Sequence, residues 1–385
     1  MKIVYVIDSL ASKGGAERIL SDKMNYMAEH YGYDVYVITC FQNQQQDPNT
    51  YFLSAEVQQI NLDIPYYSHY HYRYPKRLWI KWGFHRRLIC QLRETVLRID
   101  PDVLVGLGYF KADVVTGIRC HAVKLVESHE ARPFILSDEG LSRSCFSKVY
   151  MKIYRKIYLK KIERQADVVV ALTNADAKEW VKAKRVEVIP NFTVMPVLKQ
   201  SLCNNKRVIA VGRLEWQKGF DRLIESWVIV HTRHPEWRLD IFGSGTKEHL
   251  LKNSISSHGL NHVITIHPYT PAINKEYSDS SIFALSSRFE GFGLVLLEAM
   301  QSGVPCVTFD CPYGPSDVVA DRQNGFVVKE GDVLAFAERM CELIENEDLR
   351  HSFSQASVIR AKLFDRDVVM KQWKNLIEEL TVQRA

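Results

Sequence analysis

The sequence has no long apolar run and no closely paired cysteines. No run approaches the ~18 residues that a membrane-spanning helix needs, so any membrane contact is expected to be peripheral. The eight cysteines are scattered without a C-x-x-C pair, and no apolar leader segment precedes the first predicted strand. We therefore expect free thiols in a reducing cytosol. The net charge is only +5, so partners are decided by how the basic residues cluster.

The patterns of a zinc or dinucleotide site are also missing. No group of histidines and cysteines has zinc spacing. Gly243, Ser244 and Gly245 lack the full dinucleotide fingerprint and do not open the first βαβ unit of the chain. A zinc protein and a nicotinamide enzyme are thus both disfavoured.

What the sequence does contain is two series of short apolar runs, and 385 residues suit two domains. The first series is KIVYVIDSL, YDVYVITC, DVLVGLG, AVKLVES, ADVVVALT and VEVIP; the second is RVIAVGR, WRLDIFGSG, VITIHPY, SIFALSS and VPCVTFD. Near-continuous apolar strands between helical stretches predict parallel sheets covered on both faces. The polar stretch at 195–206 predicts the boundary, with domains at 1–195 and 206–363 and a final helix within 364–385.

The stretch SRFEGFGLVLLEAM places two glutamates around a glycine turn. Glu290 is predicted in the loop after a strand, and Glu298 in the helix that follows. The pair can hold two parts of one extended ligand, with helix N-terminal amides between them. The alternative is a solvated loop glutamate and a surface salt bridge.

The stretch VGRLEWQKGFDRLI places two cations on another loop that follows a strand. Arg213 and Lys218 lie five positions apart, and Gly219 closes the loop. A guanidinium fork and an ammonium near a helix N-terminus suit a diphosphate.

These stretches resemble glycosyltransferase family 4. GRLEWQKG followed by EGFGLVLLE is similar to the diphosphate-binding segment and the E-x7-E motif of these retaining enzymes, which have the two-domain GT-B fold. The resemblance extends over most of the chain through GGAER, VIPN, SGVPCVTFD and CPYGPSDVVADRQNGFVV. It implies two facing Rossmann-like domains with an interdomain cleft. It also implies that the last helix, around Val368 to Leu380, crosses back to the N-terminal domain.

The resemblance implies four catalytic residues. Arg213 and Lys218 would hold the donor diphosphate and stabilise its developing charge, and Glu290 would bind the donor sugar's hydroxyls. His129, which follows the strand KLVES, would lie beside the donor sugar. A structural, hydrogen-bonded histidine is the alternative there.

Further donor contacts follow from the same resemblance. Glu298 would accept hydrogen bonds from the ribose hydroxyls, and the amides of Phe292, Gly293 and Leu294 would contact sugar or phosphate. Gly15 on the N-terminal domain would let its backbone approach the donor phosphate, because it has no Cβ. No protein nucleophile is implied.

A D-x-D triplet occurs at Asp365-Arg366-Asp367, and other glycosyltransferases hold a divalent metal with this spacing. It precedes the last predicted helix rather than ending a strand, so a helix cap is the expected role. We expect no cofactor and no metal requirement, with the nucleotide sugar as co-substrate.

Two basic stretches with interleaved aromatic residues lie in the N-terminal half. The first contains Arg73, Lys76, Arg77, Lys81, Arg86, Arg87, Arg93 and Arg98 with Trp79, Trp82 and Phe84; the second contains Lys148, Lys152, Arg155, Lys156, Lys160, Lys161 and Arg164 with Tyr150, Tyr154 and Tyr158. This composition suits a helix lying on anionic lipid; solvated helix faces are the alternative. No nucleic-acid recognition motif accompanies these charges.

The residues and this resemblance together predict a glycosyltransferase that moves a hexose or N-acetylhexosamine from a UDP-sugar to a glycan acceptor, and the resemblance implies retention of the anomeric configuration. The expected acceptor is a lipid-linked glycan in bacterial surface polysaccharide or glycoprotein assembly, at the inner face of the cytoplasmic membrane. UDP is chosen by analogy through the CPYGPSDVV segment, and a base-contacting loop is expected near 242–245 and 267–270. The alternatives are an epimerase or hydrolase of sugar nucleotides, and a non-catalytic partner subunit.

Overall fold

The computed structural model describes residues 1–12, 14–42, 48–73, 75–108, 110–135, 145–197 and 199–384, with 67, 70 and 145–148 described in their backbone only. The chain forms two compact units. The first comprises Met1–Ile189 and Met370–Ala385, and the second comprises Pro190–Val369.

The first unit is built on a parallel sheet. Its elements are β1 (Lys2–Ile7), α1 (Gly15–Tyr31), β2 (Asp34–Thr39), β3 (Gln58–Asn61), α2 (Lys76–Ile99), β4 (Val103–Leu107), α3 (Ala112–Gly117), β5 (Val123–Ser128), α4 (Cys145–Gln165), β6 (Val168–Ala171), α5 (Asn174–Ala177) and β7 (Val186–Val188). The described part of this sheet has seven strands, in the order β3-β2-β1-β4-β5-β6-β7. Both faces of β1 are covered, because Val4 packs in one core with Leu92 of α2 while Tyr5 contacts Met27 of α1.

The second unit repeats this plan. Its elements are β8 (Arg207–Val211), α6 (Phe220–Arg233), β9 (Arg238–Phe242), α7 (Glu248–Ser257), β10 (Ile264–His267), α8 (Ile273–Ser278), β11 (Ile282–Leu285), α9 (Leu294–Gln301), β12 (Cys306–Asp310), α10 (Pro315–Val318), β13 (Gly325–Lys329), α11 (Val333–Glu345) and α12 (Glu347–Ala361). One further helix, α13 (Arg366–Val382), begins in this unit and ends in the first. The described strands of the second unit are parallel and run in the order β10-β9-β8-β11-β12-β13. The prediction of two Rossmann-like parallel-sheet domains is confirmed.

The segment predicted as a linker packs on the second unit. Ser201 Oγ donates a hydrogen bond to Ser280 O at 2.5 Å, and Ser278 Oγ donates one to Lys199 O at 2.5 Å. The boundary at 195–206 was predicted from the polar composition of this stretch, and in the structure these hydroxyls bond to backbone carbonyls of the second unit. The first compact unit has its main segment end at Ile189, and the predicted domain boundary at 195–206 stays a prediction.

The last helix, α13, crosses the second boundary at Val369 and lies mostly in the first unit. Its Trp373 is buried, and the Lys23 Nζ of α1 lies 4.0 Å from the centre of the Trp373 ring. Tyr33 Oη donates a hydrogen bond to Glu378 Oε1 at 3.0 Å. A cation–π contact and a polar bond thus fix this helix on the first unit.

Candidate functional site

The second unit reverses its strand order between β8 and β11. Ligands of open α/β sheets bind outside the carboxyl ends of the strands at such a reversal point. Arg213 and Lys218 lie in the loop that follows β8, and Glu290 lies in the loop that follows β11. The topology therefore brings together residues from two distant parts of the sequence.

Lys218 and Glu290 form a shielded ion pair at this point. Lys218 Nζ lies 2.6 Å from Glu290 Oε1, and the side chains are 13% and 7% exposed. Ser287 Oγ donates to the same oxygen at 2.5 Å. Glu290 is thus not a solvated loop carboxylate. The Glu290 carboxylate accepts a hydrogen bond from one of the three N–H groups of the Lys218 ammonium.

Further bonds tie the two loops together. Gln217 Nε2 donates to Phe289 O at 3.0 Å, and Ser286 Oγ donates to Lys218 O at 3.0 Å. Gly219 has a φ of +63°, and a Cβ on it would lie 2.1 Å from Ser286 O. The close approach of the loops therefore requires glycine here.

Arg213 lies on the same loop with an exposed side chain. Its Nη2 donates to Gln217 Oε1 at 3.0 Å. Because Gln217 also bonds to the loop of Glu290, the guanidinium is connected to both loops. The exposed guanidinium of Arg213 and the paired ammonium of Lys218, on one loop, suit an anion with several oxygens.

The loop of Glu290 leads into α9 through a glycine. Gly293 precedes the helix with a φ of +89°, and among the described residues the helix start has no side-chain cap. Leu294 is the first helical residue. Phe292 is buried, and its ring lies 5.8 Å from that of Phe364. The predicted donor amides of Phe292, Gly293 and Leu294 therefore stand at a helix N-terminus, where N–H groups lack helical partners.

Glu298 lies inside α9 and is buried. Its Oε2 accepts a hydrogen bond from Tyr277 Oη of α8 at 3.2 Å. The alternative of a surface salt bridge is therefore wrong, because the carboxylate lies beside a buried phenol. Its role toward a ribose stays a prediction.

Two aromatic rings meet at the carboxyl ends of β9 and β10. The rings of Phe242 and His267 are stacked, with centres 4.5 Å apart and planes 12° apart. His267 Nε2 lies 2.7 Å from Asp240 Oδ1. The two segments predicted to contact a nucleobase, 242–245 and 267–270, thus begin with two residues whose rings stack on each other.

In the first unit, His129 directly follows β5, and its side chain is 3% exposed. Its Nε2 bonds to Glu127 Oε2 at 2.8 Å, and that oxygen also pairs with the buried Lys23 Nζ of α1. Gly15 is the exposed first residue of α1. The contacts of His129 with a donor stay a prediction.

Sequence reasoning missed Ser287, Gln217, Glu127 and Lys23. Glu127 was detectable in principle, since residues two apart at a strand end share a side of the sheet. Lys23 was not detectable, because it lies in an ordinary helical pattern, 104 positions from its partner Glu127.

No group of three or more possible metal ligands occurs among the described residues. Asp365 directly precedes α13, and its carbonyl accepts a hydrogen bond from Val369 N at 3.0 Å. The D-x-D triplet thus lies at the start of a helix, with Asp365 at the position of an N-cap residue.

The two basic stretches form α2 and α4 and display apolar side chains. Trp79 and Trp82 of α2 are exposed, as are Tyr150 and Ile153 of α4. Tyr158, by contrast, is buried, so it is part of the core rather than of this surface. The side chain of Lys148 lies outside the described residues. No helix in the described ranges is both long and apolar enough to cross a bilayer.

Two family models match the chain. The model described as Glycosyltransferase Family 4 matches residues 13–193, and the model described as Glycosyl transferases group 1 matches residues 199–358. Together with the two parallel-sheet units, these matches support a glycosyltransferase of the GT-B fold.

Relatives match this chain over nearly their whole lengths. The chain is 27% identical over 386 residues to an uncharacterized glycosyltransferase of Haemophilus influenzae, covering 98% of this chain and 99% of the relative. It is 26% identical over 394 residues to the amylovoran biosynthesis glycosyltransferase AmsD of Erwinia amylovora, with coverage of 98% and 99%. In fold it resembles Anabaena Alr3699/HepE in complex with UDP, with a TM-score of 0.74, 18% identity and coverage of 98% and 100%.

Proposed function

We propose that this protein transfers a hexose or N-acetylhexosamine from a UDP-sugar to a glycan acceptor with retention of anomeric configuration. The observation that carries the proposal is the shielded Lys218–Glu290 pair at the strand-order reversal of the second unit. A lipid-linked acceptor in bacterial polysaccharide or glycoprotein glycan assembly is the substrate we propose. The AmsD relative is named an amylovoran biosynthesis glycosyltransferase, which supports a role in polysaccharide assembly.

In the proposed reaction, Arg213 and Lys218 bind the diphosphate and stabilise the charge that develops as it departs. Glu290 accepts hydrogen bonds from the sugar hydroxyls through Oε2, since both bonds described above go to Oε1. The bond from the sugar to the diphosphate breaks, and the acceptor oxygen attacks from the same face. The departing diphosphate takes the acceptor's proton, and attack from the same face needs no protein nucleophile. We propose that Arg213 and Lys218 supply the positive charge that the diphosphate needs, without a metal ion.

The nucleotide is placed by the remaining predicted residues. The amides of Phe292, Gly293 and Leu294 contact the sugar or the phosphate, and Glu298 binds the ribose. We propose that the base binds beside the stacked rings of Phe242 and His267. The complex of the structurally similar HepE with UDP favours uracil. Gly15 and His129 of the first unit are proposed to contact the phosphate and the sugar.

The donor is tested by thermal unfolding of the protein with UDP, GDP, ADP and CMP, beside Arg213→Ala. A nucleotide at a hundred times its Kd stabilises the folded state by about 2.7 kcal/mol. We expect UDP alone to raise Tm in the native protein and its effect to shrink in the variant. Equal stabilisation by all four nucleotides, or none by UDP, would contradict the proposed donor.

We further propose that α2 and α4 hold the protein on the inner face of the cytoplasmic membrane. Trp79 and Trp82 provide apolar side chains that are 73% and 54% exposed, and Arg86 lies 4.8 Å from the ring of Trp82. Basic residues around exposed tryptophans suit an anionic headgroup region.

Sedimentation with phosphatidylglycerol vesicles tests this surface. The variant reverses the charges of Arg86, Arg87, Lys160 and Lys161. Each basic residue near an anionic surface contributes about 1 kcal/mol, so the loss should weaken vesicle binding by at least about 100-fold. The control reverses four exposed residues of the second unit: Lys206, Lys252, Lys275 and Arg322. Equal binding of both variants would refute the membrane surface.

A further inference from the structure

The helices on one face of the first sheet leave a cavity beside α3. Val115 of α3 packs in one core with Leu88 of α2, and Ala112 of α3 packs in another with Leu159 of α4, so α3 lies between these two helices. It has six residues, whereas α2 has 24 and α4 has 21. At about 1.5 Å per residue, α3 spans only about 9 Å along its longer neighbours. A cavity of about 370 Å³ remains open between the three helices.

Polar side chains from these three helices and one loop line the cavity. They are His85 and Arg93 of α2, Asp113 of α3, Arg119 in the loop after α3, and Lys161 of α4. Burial, and then the nearby ammonium of Lys111, lowers the pKa of His85, so this ring is uncharged at neutral pH. Three cations and one carboxylate remain, and their excess of positive charge favours an anionic ligand.

Within the described residues, two of these polar groups lack a hydrogen-bond partner. Lys161 Nζ lies 3.5 Å from Asp113 Oδ2, but Asp113 Oδ1 and His85 Nδ1 are buried and unpaired. Buried polar atoms in proteins are nearly always hydrogen-bonded, to an ordered water or a ligand where the chain supplies no partner. The side chains of Arg93 and Arg119 are exposed, and that of Lys161 is 54% exposed, so all three cations are accessible to a ligand.

Two rows of exposed apolar side chains lead to this cavity. Spacings of four and seven positions place each row on one face of its helix. The four apolar members are between 39% and 55% exposed, and each row ends at a cation that lines the cavity. The rows are Trp82, Ile89 and Arg93 on α2, and Ile153, Ile157 and Lys161 on α4.

The cavity lies away from the edge of the sheet where a substrate is expected. α2, α3 and α4 each lead to the amino end of the strand that follows, and Arg119 and Gln165 line the cavity just before β5 and β6. Ligands of open α/β sheets bind outside the carboxyl ends of the strands instead. The cavity is therefore not part of the substrate site that the fold predicts for this unit.

We propose that this cavity binds the phosphate of an anionic phospholipid, while the two rows contact the lipid around it. This inference rests on the membrane surface proposed above and adds a single headgroup site to it. Guanidinium and ammonium groups are the usual phosphate-binding side chains. The exposed apolar rows favour a lipid over free phosphate, because only the lipid brings apolar groups that remove these side chains from water.

The site is tested by calorimetric titration of the full chain with dihexanoyl phosphatidylglycerol, kept below its micelle concentration. A monomeric lipid reports a site rather than attraction to a charged vesicle. We expect saturable binding of one lipid per protein and weaker binding of inorganic phosphate. Absence of saturable binding, or equal affinity for inorganic phosphate, would overturn the lipid site. The titration uses no nucleotide sugar and no vesicle, so its failure is distinguishable from failure of the transfer or sedimentation experiments.

Two charge-matched variants decide whether the cavity or the overall charge binds the lipid. Arg93→Gln/Lys161→Gln removes two cations of the cavity, whereas Arg86→Gln/Lys160→Gln removes two cations of the same helices that do not line it. The first variant should bind the lipid about 30-fold more weakly, the effect of losing two cations beside an anionic lipid, and the second should bind it nearly as the native protein does. All four side chains are exposed, so neither variant should change the unfolding midpoint appreciably. Equal loss of affinity in both variants would refute the site.

Discussion

Replacing Glu290 with glutamine should lower sugar transfer by at least about 100-fold, the effect usual for loss of one preorganised active-site group. The amide keeps the size of the side chain but removes its negative charge. It therefore no longer forms an ion pair with Lys218, and it accepts hydrogen bonds from hydroxyls less strongly than a carboxylate does. The measurement is the rate of acceptor-dependent UDP release.

UDP binding, unlike transfer, should not weaken in the same variant. Removing a carboxylate 2.6 Å from the Lys218 ammonium frees that cation for the diphosphate, so stabilisation by UDP should be kept or increased. The control is Glu345→Gln, because Glu345 pairs with Arg233 at 2.6 Å as a half-exposed side chain in the same unit. Full transfer activity in Glu290→Gln would remove the proposed sugar contact.

Replacing Lys218 with methionine should weaken both UDP binding and transfer. The change deletes the ammonium proposed for the diphosphate. It also leaves Glu290 with 7% exposure and no cation, and breaking a buried pair in this way destabilises a protein by about 3–5 kcal/mol. Thermal unfolding with and without UDP measures both effects in one experiment.

The double variant Lys218→Met/Glu290→Gln separates these two effects. It removes both charges, so the free energy of unfolding should recover most of what Lys218→Met loses. Stabilisation by UDP should not recover, because the ammonium is still missing. A double variant that is stabilised by UDP like the native protein would exclude Lys218 from the diphosphate site.

Most of the fold can be predicted from the pattern of apolar residues and the positions of the glycines. The strands β1, β8, β9 and β11 lie within runs that alternate with helical stretches, and they are buried as the pattern predicts. β3 is not among the predicted strands, because Gln58–Asn61 has one apolar residue. It forms the edge of its sheet, where pairing on one side allows polar side chains.

The sequence predicts which loops form the candidate site, but it does not predict which of their side chains meet. Glycines beside Lys218 and Glu290 mark both loops, so their positions after strands are predictable. That the two side chains meet is not, because 72 residues separate them and only the reversed strand order joins their loops. The same holds for Lys23 and Glu127, whose contact depends on how α1 packs on β5.

The central claim is tested most directly by UDP release from UDP-glucose, UDP-galactose and their N-acetylated analogues, with and without lipid-linked glycan acceptors. The native protein should release UDP from one of these donors only when an acceptor is present. The product should contain the new sugar with the anomeric configuration of the donor. Equal release without an acceptor would indicate a hydrolase, and inversion of the anomer would contradict the proposed mechanism. Conversion of the donor sugar without UDP release would indicate an epimerase instead.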